Sequence, residues 1–118
     1  MHFYLMKNNC HYHTLYYDEK TGYVIRCTEC ENIQIGYGNM VMTFTHCDFV
    51  CFKNWVTDMK KECQSSASKT LRNIVIPVTC EGIKFIVSAN ELADLNTMLE
   101  SADNELLSLE MMKMFESN

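Results

Sequence analysis

Apolar residues return every three or four positions in two stretches of the chain. Phe49, Phe52, Trp55, Val56, Met59 and Cys63 form the first set, and Leu92, Leu95, Met98, Leu99, Ala102 and Leu106 the second. At about 100° per residue each set lies along one side of a helix. Each is preceded by an N-terminal stop signal: Thr45 with Asp48 three residues on, and Ser88-Ala89-Asn90-Glu91, a full Ser-x-x-Glu capping box. The pattern predicts one helix over residues 47–63 and a second running from the Ser88 cap to about Ser101 or beyond. Past Leu107, the residues Met111, Met114 and Phe115 leave the stripe for a new face, which predicts either a break near Ser101 to Asn104 or contact with another chain.

Between the helices and before them the pattern shortens to β-branched and aromatic runs. Residues 14–17 and 23–26 flank the polar turn Asp18-Glu19-Lys20-Thr21-Gly22 and read as a hairpin. Residues 33–36 and 40–45 form a second hairpin around Tyr37-Gly38-Asn39, and residues 74–79 and 83–87 a third around Cys80-Glu81-Gly82. The last two hairpin-helix segments overlay. Asn32-Ile33-Gln34-Ile35 matches Asn73-Ile74-Val75-Ile76 at an offset of 41, and the helices match at 43, so that Thr45 falls on Ser88 and Phe49 on Leu92. Cap and stripe coincide together. The expected fold is α+β: two tandem ββα units (32–66 and 71–116) whose hairpins pair into one antiparallel sheet with both helices on one side, preceded by a zinc-ribbon-like hairpin (10–31).

The chain of 118 residues is 47% hydrophobic and 21% charged, which fits one globular domain with a modest core. Only residues 64–68 offer a linker, and they are few. A net charge of −5 argues against a broad grip on nucleic-acid phosphates or anionic lipid, since that attraction needs clustered Lys and Arg. No apolar run approaches the roughly 20 residues of a membrane span, and the opening Met-His-Phe-Tyr-Leu-Met-Lys lacks the pattern of a signal peptide, so the expectation is a cytoplasmic protein. Seven cysteines, an odd number without an export signal, read as thiols and metal ligands more readily than as a disulfide framework.

Four of the candidate ligands have zinc spacing: Cys10-x2-His13, thirteen residues, then Cys27-x2-Cys30. Zinc takes four borderline or soft ligands in a tetrahedron, and a pair two residues apart at a tight turn can reach one ion. The two pairs flank the first hairpin, which would return one to the other. His11 is one position off this spacing and is the alternative to His13. With every position filled by protein, no place is left for water or substrate, and the expected zinc is structural. A thioredoxin-type reading of the Cys-x-x-Cys is weaker, because strands lie on both sides of it.

Cys47 and Cys51 fall on the polar side of the first helix with Asn54 and Asp58, which suggests either a redox-sensitive pair or burial beneath the N-terminal hairpin. Cys63 belongs to the core stripe and Cys80 to a turn. Tyr12, Tyr16, Tyr17, Tyr23 and Tyr37 could stack on nucleobases, but without surrounding cations they read as packing residues. No phosphate loop, metalloprotease motif or paired carboxylates emerge, so a non-enzymatic protein is expected.

The run Gly22-Tyr23-Val24-Ile25-Arg26-Cys27-x2-Cys30, followed by Asn32-Ile33-Gln34-Ile35 and Tyr37-Gly38-Asn39, resembles a family of small bacterial proteins known only as a domain of unknown function. The resemblance covers roughly residues 10–101 and implies no activity, substrate or partner. Three function classes follow from the residues themselves: a zinc-stabilised protein-interaction or regulatory module, with homodimerisation through the Met-rich C-terminal helix as one form of it; a thiol-based redox sensor using Cys47 and Cys51 or the zinc thiolates; and a weak nucleic-acid binder using the zinc hairpin.

Overall fold

Val24, Ile25, Arg26 and Cys27 are all buried, so the strand that carries them needs partners on both edges and cover on both faces. That requirement organises the molecule. A computed structural model describes residues 11–63, 68–77 and 81–116. Its elements are β1 (Tyr12–Asp18), β2 (Gly22–Cys27), β3 (Ile33–Tyr37), β4 (Met40–Phe44), α1 (His46–Glu62), β5 (Ile74–Ile76), β6 (Phe85–Val87) and α2 (Ala89–Glu116). The first four strands form one antiparallel meander in chain order, and among the described residues β5 pairs with β6 alone.

The α+β class therefore holds, but the arrangement of hairpins differs from the expected one. β3 pairs with β2, joining the first and second hairpins, instead of the second and third hairpins sharing a sheet. β5 and β6 are three residues each, with one face buried at Ile74, Ile76 and Val87, and Pro77, which has no N–H to donate, follows β5 directly. Such a ribbon offers too short an edge to compete with β2 for β3. The two hairpins nonetheless share a register. Ile33 lies opposite Phe44 and Ile74 opposite Val87, the residues that the offsets of 41 and 43 make equivalent. Thr79 and Cys80, assigned to the third hairpin, lie outside the described residues.

Both helix starts follow their caps. The Thr45 hydroxyl accepts from the Asp48 N–H at 3.2 Å. At α2 the box is reciprocal: the Glu91 N–H donates to the Ser88 hydroxyl at 3.1 Å, and the Ser88 N–H donates to Glu91 Oε1 at 2.9 Å. α2 does not break near Ser101. Ala102 and Leu106 extend the buried stripe through that region, and no glycine or proline interrupts it, so the helix runs unbroken to Glu116. The two helices lie antiparallel, since Lys53 meets Asp103 at 2.9 Å while Thr57, further along α1, donates to Asn96, further back on α2. The core joins Phe49, Phe52 and Val56 of α1 and the α2 stripe to Val24, Ile33, Ile35 and Met42 of the sheet.

Arg72 reaches the α2 cap as well, its Nε and Nη2 each 2.9 Å from a Glu91 oxygen. The Arg72 fork holds the Glu91 carboxyl below its ordinary range, opposed by burial and aided less strongly by the Ser88 N–H. A depressed carboxyl stabilises the fold fully above its unfolded pKa of about 4.3, and that stabilisation is lost as pH falls through the folded value. Glu91→Gln is expected to cost about 1 kcal/mol at neutral pH, discounted for the exposed Arg72, and to have less effect below about pH 4. Urea midpoints of both proteins at the two pH values measure this; an equal gap at both would remove the carboxylate from the account.

Candidate functional site

The sequence Cys27-Thr28-Glu29-Cys30 turns the chain sharply between β2 and β3. Its main chain is held on three sides. The Glu31 N–H donates to the Cys27 carbonyl at 3.0 Å, the Cys27 N–H to the Asn32 carbonyl at 2.9 Å, and the Thr28 N–H to the His11 carbonyl at 2.9 Å. The Thr28 hydroxyl donates to the same His11 carbonyl at 3.0 Å. The Cys30 N–H points at Cys27 Sγ, 3.5 Å away. Cys27 is fully buried and Cys30 exposed.

Glu31 closes the turn with φ +64°, a left-handed conformation that costs a non-glycine residue on the order of 1 kcal/mol. Its side chain offsets part of this, lying 3.6 Å from Arg26 Nη2 and 3.7 Å from Lys113 Nζ. Arg26 is 5% exposed and also meets Glu110 at 3.2 Å. Glu110 and Lys113 belong to the last turns of α2, so these charges tie the cysteine turn to the far end of the long helix. No spacing or motif marks this link, since Arg26 and Glu110 are 84 residues apart.

Strand pairing separates two of the expected ligands. Tyr12 lies opposite Cys27 and His13 opposite Arg26, so the His13 side chain leaves the sheet on the face opposite Cys27. His11 touches the turn through its carbonyl. Cys10 lies outside the described residues. Among the described residues no three His, Cys, Asp or Glu side chains stand close enough to hold a metal ion. Of the four, Cys27 and Cys30 are the pair that one turn holds together.

The other thiols are placed differently from one of the two expectations. Cys47 and Cys51 are both exposed, so the first hairpin does not cover them: β1 and β2 extend the sheet through β3, and α1 turns this side to solvent. Cys63 is partly buried against the core. Of the tyrosines, Tyr37 is buried, Tyr16 packs on the core and Tyr23 donates to Gln34 at 3.0 Å, while Tyr12 and Tyr17 are 39% and 46% exposed. At the end of α2, Leu107, Met111, Met112, Met114 and Phe115 are all more than half exposed, an apolar stripe opposite the face that docks on Arg26. No helix among the described residues is long and apolar enough to cross a membrane.

No curated protein and no solved structure matches the chain. A family model does, over residues 7–117, which is nearly the whole sequence. The chain belongs to the family of unknown function DUF6686.

Proposed function

We propose that this protein is a non-enzymatic interaction module in which a structural zinc ion at the cysteine turn stiffens the base from which the end of α2 is presented. The observation that carries the reading is the Cys27 and Cys30 turn itself. Its N–H to sulfur contact, its left-handed closing residue and its bonds to His11 form a rigid two-thiol knuckle, and Cys10 is the residue before His11 in the chain. Cys10, Cys27 and Cys30 would supply three ligands. The fourth is His13 or His11: two residues apart in extended chain, they share a face, so strand parity does not choose between them. A closed set of four protein ligands supplies folding energy and no open coordination position.

Metal analysis of the purified chain tests this. About one equivalent of zinc is expected, lost in Cys27→Ser and weakened in whichever of His13→Ala and His11→Ala removes the fourth ligand. A metal-free protein folded at full stability would end the reading, and full zinc binding in both histidine variants would remove histidine from the ligand set.

The partner surface in this reading is the stripe of Leu107, Met111, Met114 and Phe115, and its occupant is a second copy of the chain. Leu107 and Phe115 are equidistant from Met111, so two antiparallel α2 ends bring Leu107 of each onto Phe115 of the other with Met111 on the axis. Light scattering is expected to give a dimer that Met111→Glu converts to monomer; a wild-type monomer at micromolar concentration would refute it.

One observation favours the redox reading as a second: Cys47 and Cys51 are exposed one helical turn apart in the first turns of α1, next to His46. Thiol trapping separates it from the first, since labelling of both at the rate of an ordinary exposed thiol would end the sensor reading.

A further inference from the structure

α1 opens with two thiols four residues apart. Cys47 is its second residue and Cys51 its sixth, about 40° apart around the helix axis, and both are exposed. Asn54 and Asp58 continue this solvent face, while Phe49, Phe52 and Val56 face the core. Free cysteine is among the most buried of residue types. Here neither sulfur is packed away, and neither has a hydrogen-bond partner among the described residues.

Geometry separates the two bridges open to such a pair. Side chains at i and i+4 of a helix start from Cβ atoms about 5 to 6 Å apart. A disulfide needs about 3.5 to 4.5 Å between them. Oxidation to a disulfide would therefore unwind the first turns of α1, which the Thr45 cap and the buried Phe49 and Phe52 hold in place. An ion between the sulfurs replaces one S–S bond of about 2.0 Å with two metal–sulfur bonds of about 2.3 Å, and this longer bridge suits the helix as it stands.

The number of ligands then selects the ion. Among the described residues no third His, Cys, Asp or Glu stands close enough to join the pair on one ion. Zinc takes four ligands and is poorly served by two. Copper(I) is a soft ion that thiolates select, and two sulfurs in line satisfy it. One copper(I) and two thiols give a bis-thiolate of net charge −1 and release two protons to water, with no change of oxidation state. That anion would lie in the first turns of α1, where the helix dipole favours negative charge.

We propose that Cys47 and Cys51 form a two-coordinate site for copper(I) on the exposed face of α1. The site rests neither on the cysteine turn nor on the reading of this pair as a redox sensor.

The full chain, held under ascorbate without oxygen, is titrated with copper(I) as its acetonitrile complex, against bicinchoninate as competitor. Two signals report on the site: the amide shifts of residues 46–52, and the emission of Trp55, the chain's one tryptophan, which lines a cleft with Cys51. Both are expected to change and to saturate together. Cys47→Ser and Cys51→Ser, at exposed positions, should each weaken this binding by more than about 100-fold, the upper end of what losing an outer partner of a ligand costs. Cys30→Ser, in the other thiol pair, should leave the shifts of residues 46–52 in place. Copper(I) uptake without change at residues 46–52, wild-type affinity in either α1 variant, or equal shifts there with zinc would each overturn the assignment.

Discussion

Substituting alanine for Gly22 is expected to remove on the order of 4 kcal/mol of stability, a large part of the 5 to 15 kcal/mol typical of a small domain. Gly22 opens β2 with φ +146°, where side-chain-bearing residues are strained by about 1 to 3 kcal/mol. A Cβ there would stand 2.0 Å from the Gly36 carbonyl oxygen and 3.0 Å from its carbon. Both atoms are main chain in β3, held by the ladder in which Tyr23 lies opposite Gly36, so relief requires opening the pairing itself. Gly36→Ala makes a useful contrast. Its Cβ would meet the Tyr23 ring at 2.2 Å, and a side chain can swing away at the loss of its bond to Gln34, so about 2 kcal/mol is expected. Urea denaturation measures both; a milder effect at Gly22 than at Gly36 would refute the distinction between backbone and side-chain obstruction.

The helices and hairpins were legible in the sequence because their causes are local. Thr45 and Ser88 cap the helices that their spacing predicts, and Asp18 Oδ1 accepts from the Lys20 and Thr21 N–H groups in the first turn, as a short polar loop with aspartate should. Even the register of the two later hairpins could be read from the offset between them. The sheet could not, because pairing is a competition among edges. β2 is buried on both faces, and the alternation that would assign one face to solvent is missing from Val24-Ile25-Arg26-Cys27. A strand with no polar face can accept partners on either edge, and in residues 74–87 Pro77 alone, inside the predicted run 74–79, marks a strand too short to win one.

The candidate site was legible in part for a related reason. The Cys-x-x-Cys spacing marks a knuckle because a tight turn is local geometry, and Cys27 and Cys30 make it. The choice of histidine is set by neither spacing nor strand parity, because His11 and His13 are two residues apart and the register shift between Thr14 and Tyr16 lies beyond both. Arg26 is the residue the reading passed over. It sits one position before the first cysteine with a charge in a buried strand, which is itself an anomaly worth pursuing from sequence, since a buried guanidinium implies carboxylate partners.

Those partners lead to the second large effect. Glu110→Ala is expected to cost about 2 kcal/mol, whereas Arg26→Met should leave stability within about 1 kcal/mol of the original or raise it. Arg26 already carries a penalty, because its buried Nε has no hydrogen-bond partner. Removing Glu110 leaves the guanidinium with Glu31 at 3.6 Å in a side chain 63% exposed to screening water, so a buried charge is left nearly unpaired. Removing the guanidinium instead leaves two carboxylates that are 63% and 45% exposed and can be hydrated where they stand, while methionine fills the volume. The double variant should therefore recover most of what Glu110→Ala loses. Thermal midpoints of the four proteins form the cycle that decides this. Additive losses would mean that the two residues act separately, and that the end of α2 is held by Leu106 and Leu109 against the core, without the charges that join it to the cysteine turn.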